Sequence, residues 1–199
     1  LHNSGMIMAQ ASNGTDTVDA YGIYIRTNLS GTLDNSGTIT ALAFKSTTDS
    51  DVANARGIHI GNDLGGTLNN SGSIVASATG TASEASAYGI YISNDLSGTL
   101  NNSGTIHALA SNSTTSYYMQ AYGVRIGNNL DGTLMNSGAI GARAFNGYSG
   151  TNTAVGVQVG GALNGMLHNT GTIDASYDQT EAGTTGFAAG VRVGGALAG

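Results

Sequence analysis

Residues 100–106 read LNNSGTI (Leu100-Asn101-Asn102-Ser103-Gly104-Thr105-Ile106), and close variants of this phrase occur five more times. They are LHNSGMI from Leu1, LDNSGTI from Leu33, LNNSGSI from Leu68, LMNSGAI from Leu134 and LHNTGTI from Leu167. Successive starts lie 32, 35, 32, 34 and 33 residues apart. A second phrase sits inside each unit: AYGIYI at 20, ARGIHI at 55, AYGIYI at 87, AYGVRI at 121, AVGVQV at 154 and AAGVRV at 188. From its alanine to the next unit's leucine is always 13 residues. The differences in unit length therefore fall in one place, at 12–19, 44–54, 79–86, 111–120, 145–153 and 178–187, which leaves a constant scaffold of 24 residues. Coils that stack on one another must match in length, whereas a loop at one corner is free to vary, so this pattern predicts a solenoid.

The period inside the scaffold names the element. From Leu100 through Asn102, Gly104, Ile106, Ala108 and Ala110, every second residue recurs from unit to unit, with Tyr177 the exception at the last position. Between them, Asn101, Thr105, His107 and Leu109 become Met135, Ala139, Gly141 and Arg143 one unit later. A period of two belongs to extended chain with alternating faces. Recurrent aliphatics point inward and varied polar residues outward. Helix is disfavoured by the abundance of Gly, Ser, Thr and Asn, while β-branched side chains suit a pleated surface. Each unit thus predicts about three short strands, in the fourth roughly 121–126, 131–136 and 138–143. The turns between them fall at Gly127-Asn128-Asn129 and Asn136-Ser137-Gly138, where Gly and Asn tolerate positive φ.

The fold expected is all-β: a parallel β-helix, right-handed by the crossover rule, of about six coils of some 33 residues. It forms one domain over 1–199 with repeats near 1–32, 33–67, 68–99, 100–133, 134–166 and 167–199. Because the pattern opens and closes in mid-phrase, a segment of a longer repeat protein is expected.

Composition narrows the function. The chain has 199 residues with 32 Gly and no Pro, Cys or Trp; 9% of residues are charged and the formal net charge is −6. A nucleic-acid binder needs a basic patch for phosphates, so nucleic acid is not an expected partner. No apolar run approaches the ~20 residues of a membrane helix, so membrane insertion of this segment is not expected. Without cysteine there is no disulfide framework or thiol nucleophile. Nothing has metal-ligand spacing, and no cofactor is expected.

In its LxNSGxI and YGIxI phrases, over its whole length, the chain resembles the β-helical passenger domains of bacterial autotransporters and related large surface adhesins. That resemblance implies a secreted or cell-surface protein of a Gram-negative bacterium, active in adhesion, aggregation or biofilm. Its expected partners are host or bacterial surface glycans and proteins. The leading expectation is a structural and adhesive protein with no catalytic site. Head-to-tail self-association into a filament or sheath is an alternative, since both ends carry edges of the same coil. A second alternative is a polysaccharide-degrading β-helix enzyme. For that reading Asp63 and Asp95 share a corner column, where paired carboxylates do acid–base work; an Asx residue at a corner more often caps a turn.

Candidate residues fall into two sets. Asn3, Asn35, Asn70, Asn102, Asn136 and Asn169 share the inward parity, and stacked amides satisfy one another as a ladder. Tyr24, His59, Tyr91 and Arg125 share an outward column, continued by Gln158 and Arg192, and aromatic rings with guanidinium groups suit sugar or protein contact. Tyr117 and Tyr118 join them as the sticky part of the variable segment SNSTTSYYMQ, beside Met119. Lys45, Asp49 and Asp51 occupy another such segment, and the two acids lack the glycine and glutamate of a calcium loop. Segments of this kind on a rigid scaffold are where recognition usually resides.

Overall fold

In the computed structural model, which describes residues 1–13, 16–46, 52–112, 118–146, 150–179 and 185–198, the chain winds through six coils of three parallel strands each. The first coil is β1 (His2–Asn3), β2 (Met6–Ser12) and β3 (Thr17–Ile25); the second is β4 (Thr32–Asn35), β5 (Thr38–Lys45) and β6 (Val52–Ile60). The third is β7 (Thr67–Asn70), β8 (Ser73–Gly80) and β9 (Glu84–Ile92), and the fourth is β10 (Thr99–Asn102), β11 (Thr105–Asn112) and β12 (Tyr118–Ile126). The last two are β13 (Thr133–Asn136), β14 (Ala139–Asn146) and β15 (Thr151–Val159), then β16 (Met166–Asn169), β17 (Thr172–Gln179) and β18 (Thr185–Val193). Like strands of successive coils pair into three six-stranded parallel sheets: a narrow sheet starting at β1 and two wide sheets starting at β2 and β3. A single-residue bridge column, Leu29 to Leu197, adds a fourth contact line.

Register follows the repeated phrases. Leu100 lies beside Leu68 and Leu134, and Asn102 beside Asn70 and Asn136. Each inward residue therefore stacks on its own kind, and the core sorts by size. Leu and Ile columns such as Leu33, Ile39, Ile58 and Ile60 form one continuous cluster, and alanine columns such as Ala41, Ala43, Ala53 and Ala55 form a second. The large residues fill the part of the coil that the narrow sheet closes. The alanines fill the part where only the two wide sheets face each other. Small side chains let those sheets approach, so the cross-section tapers, and interior packing density is kept by matching residue volume to the local gap. The exception at Tyr177 obeys the same rule. Its ring takes an alanine place, and opposite it stands Gly186, where an added Cβ would lie 2.1 Å from the ring.

Two expectations are corrected. Strands extend into every variable segment: within 79–86 β8 ends at Gly80 and β9 begins at Glu84, and within 44–54 β5 ends at Lys45 and β6 begins at Val52. Lys45, expected on a loop, ends β5 and is 1% exposed, and Met119 lies fully buried in β12. Backbone pairing requires only that N–H and C=O groups find partners, so strands run beyond the recurrent residues. The corner glycines also serve a different purpose from the one expected. Among the described residues only Asn13 and Gly80 have positive φ. The corner glycines are instead demanded by close stacking: a Cβ on Gly104 would lie 2.1 Å from the carbonyl oxygen of Gly72 one coil away.

Candidate functional site

The inner asparagine column is a continuous ladder. Each Nδ2 donates to the Oδ1 of the next coil: Asn3 to Asn35 at 2.8 Å, then Asn35 to Asn70, Asn70 to Asn102, Asn102 to Asn136 and Asn136 to Asn169, each at 2.7 Å. The same nitrogen of Asn102 faces the carbonyl of Gly104 at 3.3 Å and of Ala139 at 3.2 Å. Those carbonyls fix which end of each amide carries nitrogen, so the whole column has one direction. Asn35, Asn70, Asn102 and Asn136 are almost wholly buried. The phrase that decides the fold is a structural bracket.

The acidic corner column is engaged in the same kind of work. The Oδ1 of Asn28 accepts from the main-chain N–H of Asp63 at 3.3 Å, that of Asp63 from Asp95 at 3.2 Å, that of Asp95 from Asn129 at 2.8 Å, and that of Asn129 from Ala162 at 2.9 Å. Each Asx side chain thus caps the corner of the following coil. Beside it Asn62 and Asn94 form a side-chain relay toward Asn28. Among the described residues no group of three His, Asp or Glu is arranged to hold a metal ion, and no helix is long and apolar enough to cross a membrane.

The outward aromatic column is assembled as one stack. Tyr24 and His59 have ring centroids 5.0 Å apart, His59 and Tyr91 likewise, and the guanidinium of Arg125 lies 5.5 Å from the Tyr91 ring. A second, parallel column accompanies it: Tyr21, Arg56, Tyr88 and Tyr122. Arg56 stands 5.1 Å from the Tyr21 ring and 5.5 Å from that of Tyr88, whose ring stacks on Tyr122 at 5.3 Å and 7°. Although they project from the outer face, Tyr88 and Tyr122 are only 7% and 6% exposed.

The second column arises from a slip in strand alternation. In β6 the buried residues are Ala53 and Ala55, then Ile58 and Ile60. Ala55 and Ile58 are three apart, so period two breaks at Arg56-Gly57 and both Arg56 and His59 point outward. Gly57 permits the slip: a Cβ there would lie 2.4 Å from Ile74 Cγ2 and 2.6 Å from the carbonyl of Gly89. The odd spacing in AYGIYI, with an inward Ala and an inward Ile three residues apart, is the sequence signal that would have found this column.

Electrostatics on this face follow from crowding. His59 is pushed down to about 4, first by burial and then by the Arg56 guanidinium. Its Nε2 pairs with Ser93 Oγ at 3.1 Å, and its Nδ1 is buried without a partner. Burial raises the phenols of Tyr21 and Tyr122, and neighbouring arginines oppose this. Arg56 also contacts Asp19 at 3.5 Å. Tyr118 lies at the far end of the same outer face and is 54% exposed; it does not join the stack. Tyr117, Asp49 and Asp51 lie outside the described residues.

Stacking dictates what such a surface offers. Rings about 5 Å apart along the axis occupy each other's faces, so a ligand meets ring edges, phenol oxygens and guanidinium N–H groups. At the first coil Tyr24 is 55% exposed. The two columns run side by side along the outside of the third sheet and gather aromatic and cationic side chains together. No family model, no curated protein and no solved structure matches the chain.

Proposed function

We propose that this chain is an extracellular adhesive scaffold of the bacterial cell surface, without a catalytic site, whose recurrent residues hold a rod and whose non-recurrent outward residues make contacts with surface or matrix partners. The observation that carries this reading is the division of labour within each coil. Inward columns of the recurrent scaffold, such as Leu33, Leu68, Leu100 and Leu134, keep their residue type from coil to coil, while outward columns such as Tyr24, His59, Tyr91, Arg125, Gln158 and Arg192 change. Selection for shape acts on the first set and leaves the second open to recognition, as in other solenoids. The corner acids Asp63 and Asp95, the strongest case for hydrolytic chemistry, accept main-chain N–H groups, which favours capping over catalysis.

The test is retention of the labelled full chain on glycan-coated, matrix-coated and bacterial surfaces. Saturable retention on at least one, absent for a β-solenoid with a different outer surface, is the expected result. Retention on none overturns the reading. Exposure on the producing cell is checked by brief protease treatment of intact bacteria, which should remove the protein.

Head-to-tail assembly is a second reading with its own observation. A coil laid on either end, from the same chain or another copy, meets unpaired strand edges with exposed apolar side chains such as Met6 and Val191. Such edges are templates for further pairing. Sedimentation over a wide concentration range separates the readings: a monodisperse monomer throughout eliminates assembly.

A further inference from the structure

The third sheet's outer face changes character along the axis. In the first three coils the arginine of this face has an acid beside it: Arg56 contacts Asp19 at 3.5 Å. In the last three coils the strands are YMQAYGVRI, TNTAVGVQV and TGFAAGVRV, with no acidic residue among them. Here Arg125, Gln158 and Arg192 occupy one column, directly aligned in register. Among the described residues neither arginine makes an ion pair. Arg125 Nη1 donates to the Tyr88 phenol oxygen at 3.4 Å and its guanidinium lies over the rings of Tyr88, Tyr91 and Tyr122; a guanidinium has five N–H donors, so donors remain for a carboxylate. Between the two arginines the Oε1 of Gln158 is buried without a donor.

We propose that Arg125, Gln158 and Arg192, with the phenol edge of Tyr91, form a binding site for the carboxylates of an acidic polysaccharide running along the rod. The guanidinium fork matches a carboxylate in two parallel hydrogen bonds. The paired strands of successive coils are about 4.8 Å apart, so the two arginines repeat at about 10 Å, a span of the order of one disaccharide. A linear uronate-bearing chain presents acid groups at such a repeat and hydroxyls between them, and Gln158 stands at the intermediate place with an amide that can serve a hydroxyl. Because the ring faces of Tyr91 are filled, sugar contact runs through its oxygen. The chain as a whole is acidic, but acids more than about 8 Å away are largely screened at physiological salt, and the strands carrying Arg125, Gln158 and Arg192 contain none. A polyanionic peptide is the less suitable occupant. Strands β12 and β15 are paired on both sides and only β18 keeps an open edge; strand addition, the commonest way to gain main-chain affinity for an extended peptide, would lay a peptide along β18, across the arginine column, where it passes Arg192 and not Arg125.

This inference rests on the adhesive reading for its biological setting, but its test does not depend on it. The full chain is passed over immobilised polygalacturonate, neutral dextran and poly-glutamate at several salt concentrations, alongside R125Q, R192Q and R125Q/R192Q and, as a control for the single variants on another face, R143Q. Arg143 is already paired with Asp178 at 2.6 Å. The expected result is salt-sensitive binding to polygalacturonate, little to dextran, and a loss of about tenfold or more in the double variant with R143Q unchanged. Because all three substituted side chains project outward, circular dichroism should be the same for every variant and the wild type. Equal polygalacturonate binding by wild type and R125Q/R192Q overturns the site. Poly-glutamate binding as strong as polygalacturonate binding overturns the choice of sugar, and absence of polygalacturonate binding overturns both. If the chain adheres to cells and the double variant adheres equally, the adhesive reading stands and the site falls. If it adheres to no surface yet binds polygalacturonate through these arginines, the reverse holds.

Discussion

A single buried amide illustrates how much one residue type can be asked to do in a stacked fold. Asn102 accepts from Asn70, donates to Asn136 and faces two carbonyls. Asn102→Ala strands a donor on one side and an acceptor on the other, at roughly 1–3 kcal/mol for each orphaned group. The variant should therefore lose about 2–5 kcal/mol in urea unfolding, less if water enters. Asn101→Ala, one residue away on the outer face and bonded to Asn69 at 2.8 Å, should stay within about 0.5 kcal/mol of wild type. Similar losses for the two would remove the ladder from the account of stability. His59 gives a pH dependence of definite sign. Its folded value of about 4 lies below the ordinary 6.5, so below pH 6.5 the unfolded chain takes up a proton that the folded chain refuses. Its contribution to stability falls between pH 6.5 and about 4. His107, lowered by burial and then by Arg143 against the opposing Asp174, acts in the same direction. The melting-temperature difference between wild type and His59→Gln should shrink as the pH is lowered from 7 to 5. A constant difference contradicts it. At this scale the inner ladder was legible from parity alone, since an invariant polar residue on an inward position has few ways to be satisfied. The fate of Lys45 and Met119 was not, because each lies in a column of unlike residues, Lys45 beside Gly80 and Met119 between Ala85 and Asn152, and shows no recurrence.

At the scale of the strand, period two located every element and misjudged its ends. Recurrence of side chains was the signal, and recurrence stops where the wide strands enter the variable segments. The hydrogen bonds do not stop there: Ser111 still pairs with Thr79 and Phe145, and Tyr118 with Glu84 and Thr151. Backbone pairing is blind to side-chain identity, so strand length exceeds what a repeat can reveal. A different feature was missed at Gly89. The phrase AYGIYI reads as regular extended chain, yet within β9 this glycine is the hinge of the alternation slip. A Cβ there would stand 2.4 Å from Ile106 Cγ2 and 2.6 Å from the carbonyl of Gly123. Gly89→Ala must displace backbone or core and should cost at least about 1–3 kcal/mol, visible as a lowered denaturation midpoint. Gly65→Ala, whose nearest neighbour would be Ser97 Oγ at 3.7 Å, should be tolerated. If Gly89→Ala unfolds at the wild-type midpoint, the slip does not require glycine.

For the whole molecule, the six coils, the all-parallel pairing and the inner amide column were determined by the sequence itself. Stacking copies of one phrase leaves a single register in which apolar residues face in and asparagines meet asparagines. The tertiary structure alone decided the rest. The tapering core, with Leu and Ile at the broad part and alanine between the wide sheets, depends on how three sheets close around one axis. The pairing of Tyr177 with Gly186 depends on two strands that face each other across that core. The doubled aromatic and arginine columns arise because a glycine-permitted slip brings Tyr21 and Tyr24, or Arg56 and His59, onto one surface. None of these is a property of neighbouring residues in the chain. Each is set by side-chain volume and main-chain clearance between coils some 32–35 residues apart, and such clearances exist only once the coil has closed.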